Sequence, residues 1–93
     1  MRSTFETIEK EKIHSLQFPI ADVLEDQNAI CQRTIDLNRA QALGNLEHAK
    51  IRIYFEDNQS MKVVETTVWA LTDKAVVLKQ GARIPIHRIY KSA

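Results

Sequence analysis

Apolar and polar side chains alternate in short runs over residues 50–91. The alternation is clearest in 50–55 and in 82–87. A period of two puts one set of side chains into a core and the other into water, which is typical of half-buried β-strands. Ile51 and Ile53 are therefore expected to point inward.

Polar connections separate these runs. Residues 56–60 predict the turn of a hairpin, 72–74 a turn without glycine, and 80–81 a second tight turn. The run 61–71 is long and loses strict alternation, as expected of a strand that bends or carries a bulge. Pro85 cannot donate a ladder hydrogen bond, so it belongs at the edge of a sheet.

Helical spacing replaces the alternation upstream. A helix is predicted within residues 21–45, capped by Asp22 and ended by Gly44. Its apolar stripe would pack on the sheet and would consist of Leu24, Cys31, Ile35, Asn38 and Ala42. A break near 34–36 into two helices is the alternative, and the second helix would then carry Leu37, Ala40 and Leu43.

The first twenty residues are less regular. Phe5, Ile8, Ile13 and Leu16 fall on one side of a possible amphipathic helix over residues 3–16. A frayed terminus with loosely docked apolar side chains would have the same pattern. Segment 1–20 is therefore expected to be helical or disordered.

Length and composition are those of one globular domain over residues 1–93. Hydrophobic residues make up 44% and charged residues 27% of the chain. The net charge of +1 gives no reason to expect an acidic partner. The distribution is uneven, because residues 1–30 hold three Lys and Arg against six Asp and Glu, and residues 31–93 hold ten against six. This asymmetry indicates either a basic binding face or an acidic N-terminal segment that lies against that face. The alternative is a mixed solvated surface.

A lone cysteine, Cys31, cannot form an internal disulfide, and its place on the predicted stripe favours a small buried side chain. We therefore expect a reducing compartment, with the cytoplasm as the location. The charged start has no apolar segment of the signal-peptide type, and no apolar run approaches the length of a membrane span. No association with a membrane is expected.

The residue types that support catalysis or cofactor binding are sparse. His14, His48 and His87 lie 34 and 39 residues apart, so no pair has the spacing of a metal site. With Gly44 and Gly81 as the two glycines, no phosphate-binding loop or dinucleotide motif can be formed. We predict no catalytic residues, no cofactor and no metal, and expect that the protein is not an enzyme.

Cationic side chains gather around the last two strands. With an aromatic ring nearby, they could contact phosphate while a base stacks, as in modules that bind single strands. The alternative is that they are ordinary outward positions on alternating strands. The candidate binding residues are Arg52, Tyr54, Lys79, Arg83, His87 and Arg88, with Lys91 beside them. Trp69 is expected either in the core or as an exposed anchor for a partner.

The order of elements over residues 50–91 resembles the small SH3-like barrels, particularly Sm-like proteins and the bacterial modulators of the Rho termination factor. The similarity lies in the bent run 61–71, the turn 72–74, Gly81 and the segment 84–86. Segment 64–70 is also similar to small bacterial proteins of unassigned activity. The resemblance implies an α+β fold, in which a helix or helices precede a four- to five-stranded antiparallel barrel.

The sequence also departs from the Sm-like pattern. Residues 58–60 replace the glycine of the first hairpin, and Pro85 would weaken the edge that Sm-like subunits use to form rings. We therefore expect neither the ring nor its RNA pocket. The expected function is a non-catalytic binding or regulatory module that contacts nucleic acid through the basic face. The alternative is a protein-interaction or self-association module, so an oligomer is possible.

Overall fold

The computed structural model describes residues 4–93. Within them the chain has seven strands, three 3-10 turns and one α-helix. The strands are β1 (Glu6–Thr7), β2 (Ile51–Glu56), β3 (Met61–Thr66), β4 (Val68–Leu71), β5 (Ala75–Leu78), β6 (Arg83–Pro85) and β7 (Ile89–Ser92). The helix α1 spans Gln27–Glu47, and the 3-10 turns span Lys10–Ser15, Lys79–Gly81 and Ile86–Arg88.

The strands form two sheets. The first has the order β1-β3-β2-β7 and the second the order β4-β5-β6. All neighbours are antiparallel except β1 and β3, which run parallel. The fold class is therefore α+β, as predicted, but the pairings among the described residues give two sheets and not the expected single closed barrel of four or five strands.

The hairpin of β2 and β3 confirms the alternation in the sequence. Ile53 pairs with Val64 and Tyr54 with Val63 across the two strands. Along β2, Ile51, Ile53 and Phe55 are buried while Arg52 is exposed. Burial on one face and solvent on the other fixes the register, because a slip by one residue would invert the strand.

The long run 61–71 is divided at Thr67. This residue lies between β3 of the first sheet and β4 of the second, and its carbonyl accepts a hydrogen bond from the Lys79 amide at 3.0 Å. The chain thus leaves one ladder and joins the other, which explains why its alternation fails. Pro85 ends β6 at an edge of the second sheet, as predicted.

Both sheets contribute to one core. Phe55, Ile53, Val64 and Ile89 come from the first sheet, while the second contributes Val68, Val76, Leu78 and Ile84. Leu37 and Ala40 of α1 and Ile13 of the first 3-10 turn also belong to it, as do Ile51 and Ala82. Burial of these branched side chains supplies the main favourable free energy of folding.

The helix begins and ends later than predicted. Asp26 caps its start by accepting a hydrogen bond from the Ala29 amide, and Asp22 lies outside it. The helix continues through Gly44 and stops at His48, which takes a left-handed conformation at φ 54°. The helix is continuous, so the alternative break near 34–36 is also wrong.

Gly44 has a packing role in place of the predicted stop. A Cβ built at Gly44 would lie 2.2 Å from the Val68 carbonyl oxygen of β4. The missing side chain lets α1 approach the second sheet closely. The glycine is thus explained by the helix–sheet contact and not by the end of the helix.

The face of α1 that contacts the sheets is not the stripe predicted for the single helix, but it includes Leu37 and Ala40 of the alternative second helix. Arg33, Leu37, Ala40 and Gly44 are buried, and this row is called the inner face below. In the predicted stripe, Cys31, Ile35, Asn38 and Ala42 are all exposed. The expectation that Cys31 is buried is therefore wrong.

The N-terminal segment is neither an α-helix nor a free tail over its described part. Residues 1–3, which include the first residue of the predicted helix, lie outside the described residues. Thr7 pairs with Val63 in the parallel β1–β3 contact, and Ile13 inserts into the core from the first 3-10 turn. Within residues 4–93, no helix combines the length and apolar character needed to cross a membrane.

Candidate functional site

Two of the predicted binding residues lie together on the outer face of the first sheet. Arg52 and Tyr54 of β2 line a groove of about 390 Å³. Its other walls come from the neighbouring strands and the N-terminal segment, namely Phe5, Thr7, Val63 and Glu65. Alternation along β2 turns both predicted residues away from the core, which is why they share the groove.

Aromatic rings gather at one end of this groove. The Phe5 ring meets Tyr54 at a centroid distance of 5.0 Å and Tyr90 at 5.8 Å, with both pairs edge-to-face. The Lys91 ammonium lies over the Tyr54 ring, 4.9 Å from its centroid. These are favourable aromatic and cation–π geometries. No local pattern in the sequence indicates that Phe5 belongs to this groove, because a parallel strand pairing connects residues far apart in the chain.

Tyr90 also donates a hydrogen bond to the Glu56 carboxylate. Burial of the hydroxyl raises the pKa of Tyr90 to about 12, and the neighbouring Glu56 carboxylate adds to the increase. The phenol thus stays protonated and continues to donate at neutral pH. This bond holds the ring against Phe5.

The remaining predicted cations lie elsewhere. Arg83 of β6 lines a separate depression of about 320 Å³, together with His14 of the first 3-10 turn. Lys79 is exposed in the second 3-10 turn. The structure therefore divides the predicted basic residues between the two sheets and does not form one continuous basic face.

Arg88 has a structural position, so the expectation that it faces outward is wrong. Only 7% of its surface is exposed. Its guanidinium donates to the carbonyls of Glu56 at 3.1 Å and Ala21 at 2.7 Å. These bonds attach the residues before α1 to the end of β2 and leave the group little access to a ligand.

His87 lies on the side of the molecule near the segment before α1. Its Nε2 atom is 3.0 Å from the Pro19 carbonyl oxygen. It also lines a depression of about 450 Å³ with Lys74, beside the buried Arg33. His87 and Arg52 therefore belong to different surfaces.

Arg33 is a buried polar anchor that the sequence did not reveal. Its guanidinium forms two hydrogen bonds to the Asp22 carboxylate, at 2.9 and 3.0 Å, and one to the Ile89 carbonyl at 3.0 Å. The Arg33 hydrogen bonds lower the pKa of Asp22 against the opposing effect of its burial. This anchor joins α1 to β7 and to the residues that precede the helix.

A second buried ion pair closes the β2–β3 hairpin. The Lys62 ammonium lies 3.0 Å from the Asp57 carboxylate. Burial disfavours ionisation of Asp57, but amide donors from Ser60 and Gln59 and the Lys62 ammonium outweigh it and lower the pKa of Asp57. The charges of Asp57 and Lys62 thus neutralise each other inside the fold and do not face a ligand.

Exposed apolar side chains lie on the side of α1 that faces away from the sheets. We define the outer face of α1 by one exposed row: Cys31, Ile35, Asn38, Ala42 and Leu46. Ile35 is 51% exposed and Leu46 81% exposed. No charged residue occurs in this row. A helix normally turns such a stripe toward a core, so its exposure marks a surface suited to a partner.

Trp69 is a large hydrophobic side chain that is exposed on the second sheet. It lies on β4 with 50% of its surface exposed, so the structure favours the exposed alternative over the core one. Exposed tryptophan is a frequent anchor residue in protein interfaces.

Among residues 4–93, no cluster of three or more His, Cys, Asp and Glu side chains has an arrangement that could hold a metal ion. Comparison with known proteins adds no assignment: no family model, no curated protein and no solved structure matches this chain.

Proposed function

We propose that the protein is a non-catalytic interaction module that self-associates through the outer face of α1. The supporting observation is the exposed, uncharged stripe of that face on a helix whose opposite side already packs on the sheets. Interface cores are depleted of charged residues in the same way. The groove and depressions described above contain charged groups and give no comparable apolar surface.

The spacing of the stripe favours a second copy of the chain as the partner. In an antiparallel pair of helices, Ile35 would lie opposite Ala42, and Cys31 opposite Leu46. Both pairs are centred on the same point, between residues 38 and 39, so a single two-fold axis serves them. Each pair sets a small side chain against a large one, as close helix packing requires.

We propose that the two sheets together form an open, SH3-like variant of a barrel, preceded by α1, and not the closed barrel expected from the sequence. The continuous stretch 61–71 contributes β3 to one sheet and β4 to the other, so the two sheets share it and enclose one core. β2 pairs with both β3 and β7, and a 3-10 turn precedes β7. This connectivity supports the similarity to small barrels that the sequence indicates.

Light scattering across a concentration series tests the self-association. We expect a dimer mass for the unaltered chain and a monomer mass for Ile35→Glu, because the new carboxylate would be buried without a partner. Ile20→Glu is the matched control, since Ile20 is exposed but lies outside α1, and it should remain dimeric. A monomer at every concentration, or equal effects of the two changes, would reject the proposal.

Cys31 supplies an independent measurement. It is exposed on the outer face, so a thiol reagent should label it in the folded monomer. We expect labelling to slow as the protein concentration rises and to become independent of concentration in Ile35→Glu. A labelling rate that is independent of concentration in the unaltered dimer would place the interface elsewhere.

Binding of single-stranded nucleic acid is the second candidate function. It is supported by Lys91 over the Tyr54 ring and by Arg52, which lines the same groove of the first sheet as Tyr54. Cations beside an aromatic ring fit a phosphate chain with stacked bases. Retention of single-stranded RNA should then decrease with salt and be lost in Arg52→Gln but not in Arg83→Gln. Failure to bind RNA at low ionic strength would exclude this function.

A further inference from the structure

The edge of β3 is covered by a very short piece of the chain's own N-terminal segment. We define the strap as residues 4–8. Only Glu6 and Thr7 pair with β3, and the Ile8 amide adds one hydrogen bond to the Val63 carbonyl at 2.9 Å. The other strands of that sheet are longer and pair over more residues.

Two side chains anchor the strap. Phe5 places its ring edge-to-face against Tyr54 and Tyr90, and Ile8 packs against the margin of the core. Both anchors are half-buried, while Glu6 and Thr7 between them are exposed. The strap is thus held by an aromatic residue and, three residues later, a branched aliphatic one.

Without the strap, β3 would present an unpaired edge beside an aromatic site. An open edge accepts another extended chain through backbone hydrogen bonds, and side-chain pockets beside it select the sequence. Arg52 and Glu65 line the groove next to the strap, so charged groups of either sign are available to such a chain.

We propose that the β3 edge and the neighbouring rings of Tyr54 and Tyr90 together form a docking site for an extended segment of a partner protein. The partner would carry an aromatic residue followed, three positions later, by a branched aliphatic residue. The strap is the intramolecular occupant of this site and shows the chemistry that the site selects. The proposed site shares no residue with the outer face of α1, so it is independent of the self-association proposed above.

The strap competes with any external segment for the site. A site that is mostly occupied by its own chain binds an external peptide more weakly, by the fraction of molecules in which it is open. Phe5→Ala in the full chain should raise that fraction, because it removes the aromatic anchor and leaves Tyr54 and Tyr90 in place.

The test uses a synthetic peptide with the sequence of residues 4–10 and the full chain. We expect the peptide to bind Phe5→Ala at least tenfold more tightly than the unaltered chain, and to shift the ring resonances of Tyr54 and Tyr90. The same peptide with alanine in place of its phenylalanine should bind at least tenfold more weakly. Equal binding by both chains, equal binding of both peptides, or no binding would overturn the proposal.

Two further measurements separate the alternatives. Hydrogen exchange of the Ile8 amide should accelerate in Phe5→Ala, and circular dichroism should show that the rest of the chain is folded.

If Phe5→Ala does not fold, Ile8→Ala weakens the second anchor, and we expect it also to bind the peptide more tightly than the unaltered chain. A dimer that is lost in Phe5→Ala but kept in Ile35→Glu would show that a second copy's strap occupies the edge, which would overturn the partner segment and the α1 dimer together.

Discussion

Simple hydrophobicity does not distinguish the two faces of α1, since Leu37 and Ala40 are buried on one face and Ile35 and Leu46 are exposed on the other. The inner face, packed on the sheets, includes an arginine and a glycine. The outer face carries Ile35 and Leu46 and is exposed. A count of apolar residues therefore does not identify the buried side of the helix.

This difference shows that specific partners, and not side-chain polarity alone, decide which face is buried. Arg33 is tolerated inside because Asp22 and the Ile89 carbonyl accept hydrogen bonds from its Nη1 and Nη2 atoms, although its buried Nε has no partner among the described residues. Gly44 is required inside because a β-carbon would meet a backbone carbonyl. The apolar outer row has no such partner within the described residues, which is why it is our candidate interface.

The largest expected effect compares neighbouring positions on the two faces. Leu37→Ala should lower the free energy of unfolding by about 2–5 kcal/mol, because Leu37 is 1% exposed and its loss leaves a cavity. Ile35→Ala should change the stability of the monomer by less than about 0.5 kcal/mol. Urea unfolding at low protein concentration measures both. Similar losses for the two variants would contradict our assignment of the faces.

The next largest effect concerns the buried arginine. Arg33→Met should cost about 2–3 kcal/mol, because the Asp22 carboxylate and the Ile89 carbonyl would each lose a donor. Arg39→Met is the matched control on the same helix, since Arg39 is exposed and lies 3.9 Å from Asp36, and it should cost less than about 0.5 kcal/mol. Urea unfolding of both variants is the measurement. A neutral Arg33→Met would mean that the anchor gives no net stability.

Gly44→Ala should have a smaller effect whose sign is informative. At an open helix position, this change stabilises by about 1 kcal/mol. Here the new methyl group must displace β4, so we expect a net loss of about 1–2 kcal/mol. Thermal unfolding of both variants is the measurement. Asn45→Ala, at an exposed neighbouring position, should be neutral or slightly stabilising. A gain in stability for Gly44→Ala would show that α1 and β4 are farther apart.

Acidification should produce the smallest change in stability. The Asp22 side chain is one-third exposed, so solvent weakens its ion pair with Arg33. The pKa values of Asp22 and Asp57 are lowered in the folded protein. Carboxyls of this kind contribute stability above their unfolded pKa and lose it as the pH falls through the folded value. The urea midpoint should therefore fall on acidification below about pH 4, with a weaker fall in Arg33→Met. A midpoint that rises on acidification would contradict both carboxylate assignments.

The β section was the part of the fold most accessible from the sequence. The hairpin at 56–60, the turn at 72–74 and the edge position of Pro85 follow from local chemistry, because alternation and turn residues act over a few neighbouring positions. The loss of alternation within residues 61–71 indicated that this strand bends or carries a bulge, and the structure divides it at Thr67. The number of sheets was not, because it depends on which strands meet.

The candidate site was accessible only in part. Arg52 and Tyr54 share a groove because alternation places both outward on one strand. Arg88 could not be recognised as buried, because its hydrogen-bond acceptors lie on residues 21 and 56, far away in sequence. Phe5 was missed for the same reason.

By itself, the sequence determined the α+β class, the helix in the first half and the strands that follow it, since these depend on periodicity and on turn residues. Only the tertiary structure decided which side of α1 is buried, which cations are free and what covers the edge of β3. Those outcomes depend on contacts between residues distant in the chain, where one carboxylate or one carbonyl oxygen reverses the preference that local hydrophobicity indicates.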